Sequence, residues 1–457
     1  MKGKTMAGTL RGSGATDRKR GIIIGAAGRD FHDFNVLFRQ DPGFEIVAFT
    51  ASQIPGISGR VYPKELSGKL YPNGIRIYDE SELPALIKRL KADFCVQAYS
   101  DLSYNTVMGK SSIANANGAD FWLVAPERTM IKSSKPVIAV CAVRTGSGKS
   151  QTTRYISNIL REAGLRVAVI RHPMPYGILK DQMVQRFATM KDLADQKCTI
   201  EEREEYEPHI KNGFVVFAGV DYEMILRAAE KEADVILWDG GNNDAPFIKP
   251  DLLITVADPL RAGDEITYYP GETVARMADV LLVNKANSAT KDELEKLQSN
   301  LESINKGAAI LLADSVVLPD NKRIISGKRV LVIEDGPTIT HGGMRFGAGT
   351  VVAKEFGASE IVNAKPNAIG TIKQMYDKYP NLGAELPAVG YSPKQISDLQ
   401  NTVNRVDCDV VISATPIDLR KLIVVNKPMV QVAYELKPRD GRFDKIIINF
   451  ARKIKKR

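Results

Sequence analysis

A glycine-rich octapeptide that ends in Gly-Lys-Ser, residues 143–150, carries the clearest chemical signal in this chain. An apolar run precedes it and a helix-like stretch follows, and this order predicts a loop whose backbone N–H groups and helix dipole hold a phosphate. Lys149 would reach the β- and γ-phosphates, and the Ser150 hydroxyl would bind Mg²⁺. Val143 stands where the general G-x-x-x-x-G-K-[ST] pattern has its first glycine. The residues predicted to bind a nucleoside triphosphate here are Thr145, Gly146, Ser147, Gly148, Lys149, Ser150 and Gln151.

A second apolar strand, residues 233–239, ends in the carboxylate of Asp239 and runs into two glycines. In P-loop enzymes an acidic residue at this point holds Mg²⁺, and glycines let the backbone come close to the γ-phosphate. Asp239 and Ser150 are therefore predicted metal ligands. Asn242, Asn243 and Asp244, which follow, fit either a functional role or an ordinary turn.

A third strand, residues 278–283, leads into Asn284-Lys285-Ala286-Asn287, which is similar to the base-reading N-K-x-D loop of GTPases. Guanine offers two donors that a carboxylate accepts together, whereas adenine offers one donor and one acceptor, which suit a carboxamide. Asn287 in place of Asp therefore favours ATP, and GTP stays possible. A helix-capping role for Asn287 before Ser288 and Thr290 is the alternative.

Polar candidates also follow the strand at residues 166–170. Arg171 and His172 would lie at the carboxyl end of a parallel strand, where open α/β sheets bind ligands, and are predicted to contact a phosphate of the substrate. In the acidic stretch 201–209, Glu207 and His209 could orient water or bind metal, with Glu207 as the metal ligand. A solvated helix face is the alternative interpretation of this stretch.

Residues 21–131 open like a Rossmann fold, but with G-x-x-G in place of G-x-G-x-x-G. Thr50 rather than an acid ends the second strand, which argues against NAD. The loop is predicted to bind a phosphate or substrate through Gly28, Arg29 and His32. A capping or solvated role for His32 fits equally well.

Residues 326–457 begin with a strand that delivers two carboxylates into a loop rich in Gly, Thr and His. Such a loop suits an active-site wall, and Asp335 and His341 are predicted to be catalytic there. A long connecting loop with tight turns is the alternative. The substrate-binding candidates of this loop are Glu334, Thr338, Thr340 and Arg345.

The chain has 457 residues, 44% of them hydrophobic, a net charge of +9 and four widely spaced cysteines. Its length and alternating segments predict an α/β fold: a central P-loop NTPase domain (132–325) with a parallel sheet, flanked by Rossmann-like domains (21–131 and 326–457). Residues 1–20 form a basic tail that is expected to be disordered and lacks a signal-peptide core. Strand-sized apolar runs and scattered thiols indicate a cytoplasmic protein without a membrane span. The basic runs lack interleaved aromatics, so nucleic acid is not an expected partner.

Arg144 lies two residues before the G-x-G-K core, where the SIMIBI class of P-loop NTPases often has a signature lysine. Over about residues 20–436 the chain resembles the archaeal-type cyclic 2,3-diphosphoglycerate synthetase group and its predicted-GTPase relatives. The stretches that carry this resemblance are GAAGRDFH (25–32), RHPMPYG (171–177), EEYEPH (204–209), YYPGE (268–272), EDGPT (334–338) and THGG (340–343).

The resemblance implies an ATP-dependent ligase that closes a phosphoanhydride within a small phosphorylated acid such as 2,3-diphosphoglycerate, with Mg²⁺ as cofactor. It also implies a homodimer, because SIMIBI relatives commonly dimerise. A SIMIBI GTPase that acts as a switch or delivers a metal is the alternative, and a nucleotide-binding module without turnover is disfavoured. The expected catalytic residues are Arg144, Lys149, Asp239, Asp335 and His341.

Overall fold

The computed structural model of the protein describes residues 18–26, 28–51, 57–172, 177–241, 244–340, 342–388, 390 and 392–456. Residues 1–17 of the predicted basic tail, as well as Asn242, Asn243 and His341, lie outside these ranges. The chain divides into two compact units, residues 1–98 with 109–124, and residues 99–108 with 125–457. In the described ranges no helix has the length and apolar character needed to cross a membrane.

The first part of the chain forms short strands and helices in alternation. They are β1 (Lys19–Ile24), α1 (Arg29–Asp33), β2 (Phe44–Ala51), β3 (Val61–Tyr62), α2 (Lys64–Ser67), β4 (Ile75–Asp79), α3 (Leu83–Leu90), β5 (Phe94–Gln97), β6 (Leu102–Ser103), α4 (Tyr104–Ala116) and β7 (Asp120–Leu123). The sheet of the first unit has the order β3-β4-β2-β1-β5-β7, with β1 parallel to both of its neighbours.

The second unit continues the alternation of strands and helices. Its further elements are β8 (Val137–Ala142), α5 (Lys149–Glu162), β9 (Val167–Arg171), β10 (Gln185–Phe187), α6 (Met190–Asp195), α7 (Ile200–Lys211), β11 (Val215–Ala218), α8 (Tyr222–Ala229), β12 (Val235–Asp239), β13 (Leu252–Ala257), β14 (Tyr268–Tyr269), α9 (Gly271–Met277), β15 (Val280–Val283), α10 (Lys291–Ile304), β16 (Ala309–Pro319), β17 (Arg329–Asp335), α11 (Gly336–Ile339), α12 (Ala348–Glu355), β18 (Glu360–Ile361), α13 (Gly370–Lys378), β19 (Leu386–Ala388), α14 (Pro393–Arg405), β20 (Val410–Ala414), β21 (Met429–Pro438) and α15 (Arg442–Lys455).

Sequence patterns account for these elements. Strands β8, β12 and β13 are buried at every residue, as parallel strands covered on both faces must be. Helices α7 and α10 begin at capping boxes in which Thr199 and Thr290 bond the third residue of the first turn. The predicted α/β class with parallel strands is confirmed.

The P-loop strands and the C-terminal strands belong to one long sheet, in the order β10-β11-β9-β12-β8-β13-β15-β16-β21-β20-β17-β18. Strand β16 pairs in parallel with β15 through residues 309–312 and antiparallel with β21 through residues 313–319. Val283 at the end of β15 pairs with Leu312, and Pro438 at the end of β21 pairs with the next residue, Ala313. The carboxyl ends of β15 and β21 therefore lie at the same level of β16, on its two edges. The strands of the two halves therefore run toward each other, and residues on both sides of the predicted boundary at 325/326 share this sheet.

Candidate active site

The glycine-rich loop connects the buried strand β8 to helix α5, as the sequence predicts. Gly146 and Gly148 have φ values of 79° and 111°, a region that favours glycine. A Cβ on Gly148 would lie 2.0 Å from the side-chain nitrogen of Asn284, so this glycine is also required for space. Ser150 and the buried Gln151 follow on the first turn of α5, whose N-terminus has the free N–H groups and positive dipole end that favour a phosphate.

Lys149 and Asp239 face each other at this loop, with 3.9 Å between Nζ and Oδ1. Burial lowers the pKa of Lys149 to about 8, although the Asp239 charge opposes this. Burial alone would raise the pKa of Asp239, but Arg171, His209 and Lys149 together hold that pKa well below its usual range. The Asp239 carboxylate is therefore ionised, and the two predicted phosphate-site residues are brought together.

Arg171 contacts Asp239, and its predicted contact with a phosphate of the substrate remains a prediction. Its Nη1 lies 2.7 Å from Asp239 Oδ2, and its Nη2 pairs with Glu205. His209 Nε2 lies 3.0 Å from the same Oδ2, so His209 reaches the site. Glu207 instead forms ion pairs with Arg203 and Lys211 at 3.5 and 3.0 Å. Through the described ranges no group of three or more His, Cys, Asp or Glu side chains is arranged as a metal site.

His172 lies close to Asp244, with 3.6 Å between Nε2 and Oδ2, and its ring approaches Phe247 edge-on. A Cβ on Gly241 would lie 2.6 Å from the His172 Cβ. The absence of a side chain at Gly241, the second glycine after Asp239, therefore allows His172 to pack against this backbone. The predicted substrate role of His172 remains a prediction.

Asn284 and Lys285 contact the P-loop backbone. Asn284 donates to the Ser147 carbonyl at 2.9 Å, and Lys285 Nζ donates to the Gly146 carbonyl at 2.6 Å. Lys285 also pairs with the buried Asp258 at 2.7 Å, which sequence reasoning missed although it follows an apolar strand as Asp239 does.

Asn287 is held by the backbone of Ser315. Its Oδ1 accepts from the Ser315 N–H at 3.0 Å, and its Nδ2 donates to the Ser315 carbonyl at 3.2 Å. Both polar ends of the carboxamide thus tie this loop to β16. The reading of adenine by Asn287 remains a prediction.

Arg144 is enclosed by carboxylates and an aromatic ring, and its expected catalytic role remains a prediction. Its Nε donates to Asp101 at 2.6 Å, its Nη1 pairs with Asp264, and the guanidinium lies 3.6 Å from the Tyr268 ring centroid. Only 4% of the side chain is exposed. Such an arrangement anchors the loop, because Asp101 also lies 3.4 Å from the Thr145 N–H.

The loop at residues 336–344 reaches the P-loop. A Cβ on Gly146 would lie 3.1 Å from Thr338 Cγ2, and the Gly342 carbonyl accepts from Arg144 and Arg261. Arg261 in turn donates to Ser147 Oγ at 3.2 Å. The loop after β17 therefore contacts the P-loop, as predicted, and its role in the reaction remains a prediction.

Several predicted residues of this loop have structural partners. Asp335 accepts hydrogen bonds from the backbone and hydroxyl of Thr338, and Thr340 donates to the Gly336 carbonyl at 2.7 Å. Glu334 is buried and accepts from the N–H groups of residues 347, 349 and 350, so it caps α12. Burial raises the pKa of Glu334 to about 7. Arg345 is exposed.

The predicted residues Gly28, Arg29 and His32 belong to the first unit. Gly28 has a φ of 144° and donates to Asp30 at 2.6 Å. Arg29 and Asp33 form a buried pair at 3.8 Å, and His32 is 1% exposed. Burial raises the pKa of Asp33 to about 6. Their role in substrate binding remains a prediction.

The fold and site define a P-loop enzyme that uses a nucleoside triphosphate. Over 419 residues, 92% of this chain and 94% of that protein, the chain is 58% identical to the arginine synthetase ArcE of Thermococcus kodakarensis. It is 30% identical over 113 residues to the cyclic 2,3-diphosphoglycerate synthetase of Thermococcus sibiricus, 24% of this chain and 26% of that protein. The chain belongs to the arginine synthetase ArcE family, and the expected similarity to cyclic 2,3-diphosphoglycerate synthetases spans about a quarter of it. No family model matches the chain.

Solved structures share the fold only distantly. LpxK from Aquifex aeolicus with ATP is 16% identical, covers 81% of this chain and 98% of its own, and gives a TM-score of 0.43. The hydrogenase maturation factor HypB from Archaeoglobus fulgidus covers 39% of this chain and 81% of its own, at 16% identity and a TM-score of 0.27. The P-loop assignment rests on the site itself.

Proposed function

We propose that this protein is an ATP-dependent synthetase that forms arginine. The observation that carries the proposal is the 58% identity to arginine synthetase ArcE over 92% of the chain. The site supports it, because Lys149 of the P-loop lies opposite the buried Asp239 carboxylate while a loop of the C-terminal half packs against the P-loop. That loop provides a wall for a second substrate.

The acceptor that chemistry favours is the ureido amino acid citrulline, which differs from arginine by one oxygen in place of nitrogen. In the first step the ureido oxygen bonds the γ-phosphorus of ATP, and ADP leaves. In the second step the lone pair of ammonia attacks the ureido carbon, the C–O bond breaks, and inorganic phosphate departs with that oxygen. One proton of the ammonia ends on the departing phosphate, and the other two stay on the guanidinium that forms. Charge develops on phosphoryl oxygens, so fixed cations such as Lys149 would stabilise it.

Free ammonia is the proposed nitrogen donor. Hydrolysis of an amide donor commonly uses a thiolate of lowered pKa. Here burial raises the pKa of Cys95 and of Cys198 to about 12 and also raises that of Cys408. Cys141 is buried beside the Asp244 carbonyl. None of these settings activates a thiol.

Mg²⁺ fits the residues at the P-loop. Asp239 Oδ1 is fully buried and without a hydrogen-bond partner, an uncompensated acceptor that a hydrated cation would satisfy. Ser150 at the start of α5 and Asp239 would hold the ion. When bound it would offset charge on the β- and γ-phosphates.

Two alternative functions are compared with arginine synthesis in the experiment below. Closure of a phosphoanhydride in 2,3-diphosphoglycerate is supported by the partial match to those synthetases. A SIMIBI GTPase is supported by the contacts of Asn284 and Lys285 with the P-loop backbone. A homodimer stays a proposal that light scattering would test.

The deciding experiment incubates purified protein with ATP or GTP, Mg²⁺ and one acceptor: citrulline with ammonium, 2,3-diphosphoglycerate, or none. Arginine is measured by chromatography and phosphate by a colour reaction. We expect equal amounts of arginine and phosphate with ATP, citrulline and ammonium together. Phosphate release driven by 2,3-diphosphoglycerate, or by GTP without an acceptor, would overturn the proposal.

A further inference from the structure

The Asp239 carboxylate is held at one oxygen and not at the other. Oδ2 lies 2.7 Å from Arg171 Nη1 and 3.0 Å from His209 Nε2. Oδ1 is buried, lies 3.9 Å from Lys149 Nζ, and has no hydrogen-bond partner. The ion pair with Arg171 and the hydrogen bond with His209, both on one side, therefore fix the orientation in which the second oxygen faces the P-loop.

Helix α7 supplies this support. Glu205 and His209 are four residues apart and so share one face of the helix. His209 contacts Asp239 directly through a hydrogen bond. Glu205 forms an ion pair with the Arg171 guanidinium, which is 3% exposed and forms a second ion pair with Asp239. Because an ionised carboxylate only accepts hydrogen bonds, the 3.0 Å approach of Nε2 to Oδ2 requires the hydrogen on Nε2 of His209. The stretch for which a solvated helix face was the alternative interpretation thus places His209 against the Asp239 carboxylate.

We propose that Arg171 and His209 are positioning residues that hold Asp239 by Oδ2 and thereby present Oδ1 to a hydrated divalent cation on the bound nucleotide, with Glu205 holding Arg171 in place. Neither residue needs to touch substrate in this role. This inference rests on nucleotide binding at the P-loop and is independent of which acceptor is phosphorylated.

The test measures Mg²⁺ affinity of the ADP complex by calorimetry, together with ADP affinity in EDTA. His209→Leu and Arg171→Met should weaken Mg²⁺ binding by about 10- to 100-fold, the usual cost of losing support behind a metal ligand. Binding of ADP in EDTA should be unchanged. His209→Gln, which keeps a donor near the Nε2 position, should bind Mg²⁺ close to wild type.

Glu201→Gln on the first turn of α7 is the matched control, and thermal unfolding confirms that each variant is folded. Glu205→Gln serves as the milder probe if His209→Leu does not fold, and it too should weaken Mg²⁺ binding. Unchanged Mg²⁺ affinity in folded His209→Leu and Arg171→Met would overturn the proposal. Equal loss in His209→Gln and His209→Leu would also overturn it. Because no acceptor is present, a negative result here leaves the arginine assay unaffected.

Discussion

Thr338 packs against Gly146, so the loop that follows β17 lies directly on the P-loop. A Cβ on Gly146 would come within 3.1 Å of Thr338 Cγ2, and Asp335 binds Thr338 at the base of the same loop. The reversal of strand direction at β16 makes this contact possible, because it turns the carboxyl ends of the C-terminal strands toward the P-loop strands. The second substrate is expected between these two edges.

Asp335→Asn tests this loop. The carboxamide keeps an acceptor for Thr338 but removes the charge, so α11 should stay capped. We expect ADP affinity to be unchanged and arginine formation to fall at least about tenfold, equivalent to ~1.4 kcal/mol in the barrier. Asp314→Asn, which breaks an exposed pair with Arg439, is the control. Equal kcat in Asp335→Asn and wild type would remove the loop from the reaction.

Arg144→Met tests whether this arginine anchors the loop or stabilises phosphate. Loss of the guanidinium leaves Asp101 and Asp264 without their partner, and breaking a buried pair costs about 3–5 kcal/mol. Urea unfolding should show this loss, with a smaller one for Arg144→Lys, which keeps charge but not the forked geometry. A fully stable Arg144→Met protein without turnover would instead support the catalytic role expected of Arg144.

The sequence was sufficient to predict the strand–loop–helix arrangement of the P-loop, the α/β class, and the approach of Asp239 and of the loop after β17 to the P-loop. It was insufficient where the partner of a side chain lies far away in the chain. Arg144 is anchored by Asp101 and Asp264, and Glu334 caps α12, because the fold brings those partners together. Local spacing contains no signal for such pairs. Asp258 could have been predicted as a site residue from the sequence, since it directly follows β13, a buried strand that pairs with β8.

The Asn287→Asp variant distinguishes a structural role of Asn287, its bonds to the Ser315 backbone, from a role in recognising the nucleotide base. A carboxylate cannot donate to the Ser315 carbonyl, so we expect the unfolding free energy to fall by about 0.5–1.5 kcal/mol. If the carboxamide acts only through its two bonds to the Ser315 backbone, the ratio of ATP to GTP affinity should stay unchanged. A shift of about tenfold toward GTP, the size expected when a paired base contact is exchanged, would show that Asn287 reads the base.

The raised pKa of the buried Glu334 predicts that the free energy of unfolding depends on pH. Its folded pKa is about 7 against an ordinary value of 4.5, so between these pH values the folded chain holds a proton that the unfolded chain has lost. Stability should therefore fall as pH rises from about 4.5 to 7, by up to about 3 kcal/mol, and level off above. Glu334→Gln should flatten this slope in urea unfolding, while Glu355→Gln, an exposed control, should keep it. An equal slope in Glu334→Gln and wild type would contradict the assignment.

Transfer of the ureido oxygen tests the central claim most directly. Citrulline labelled with ¹⁸O in the ureido group is incubated with ATP, ammonium, Mg²⁺ and the protein, and the phosphate formed is examined by mass spectrometry. We predict one ¹⁸O in phosphate for each arginine, and no product from a folded Lys149→Ala variant, which lacks the ammonium group at the P-loop. Unlabelled phosphate, or arginine formed by Lys149→Ala at the wild-type rate, would contradict phosphoryl transfer to citrulline at this site.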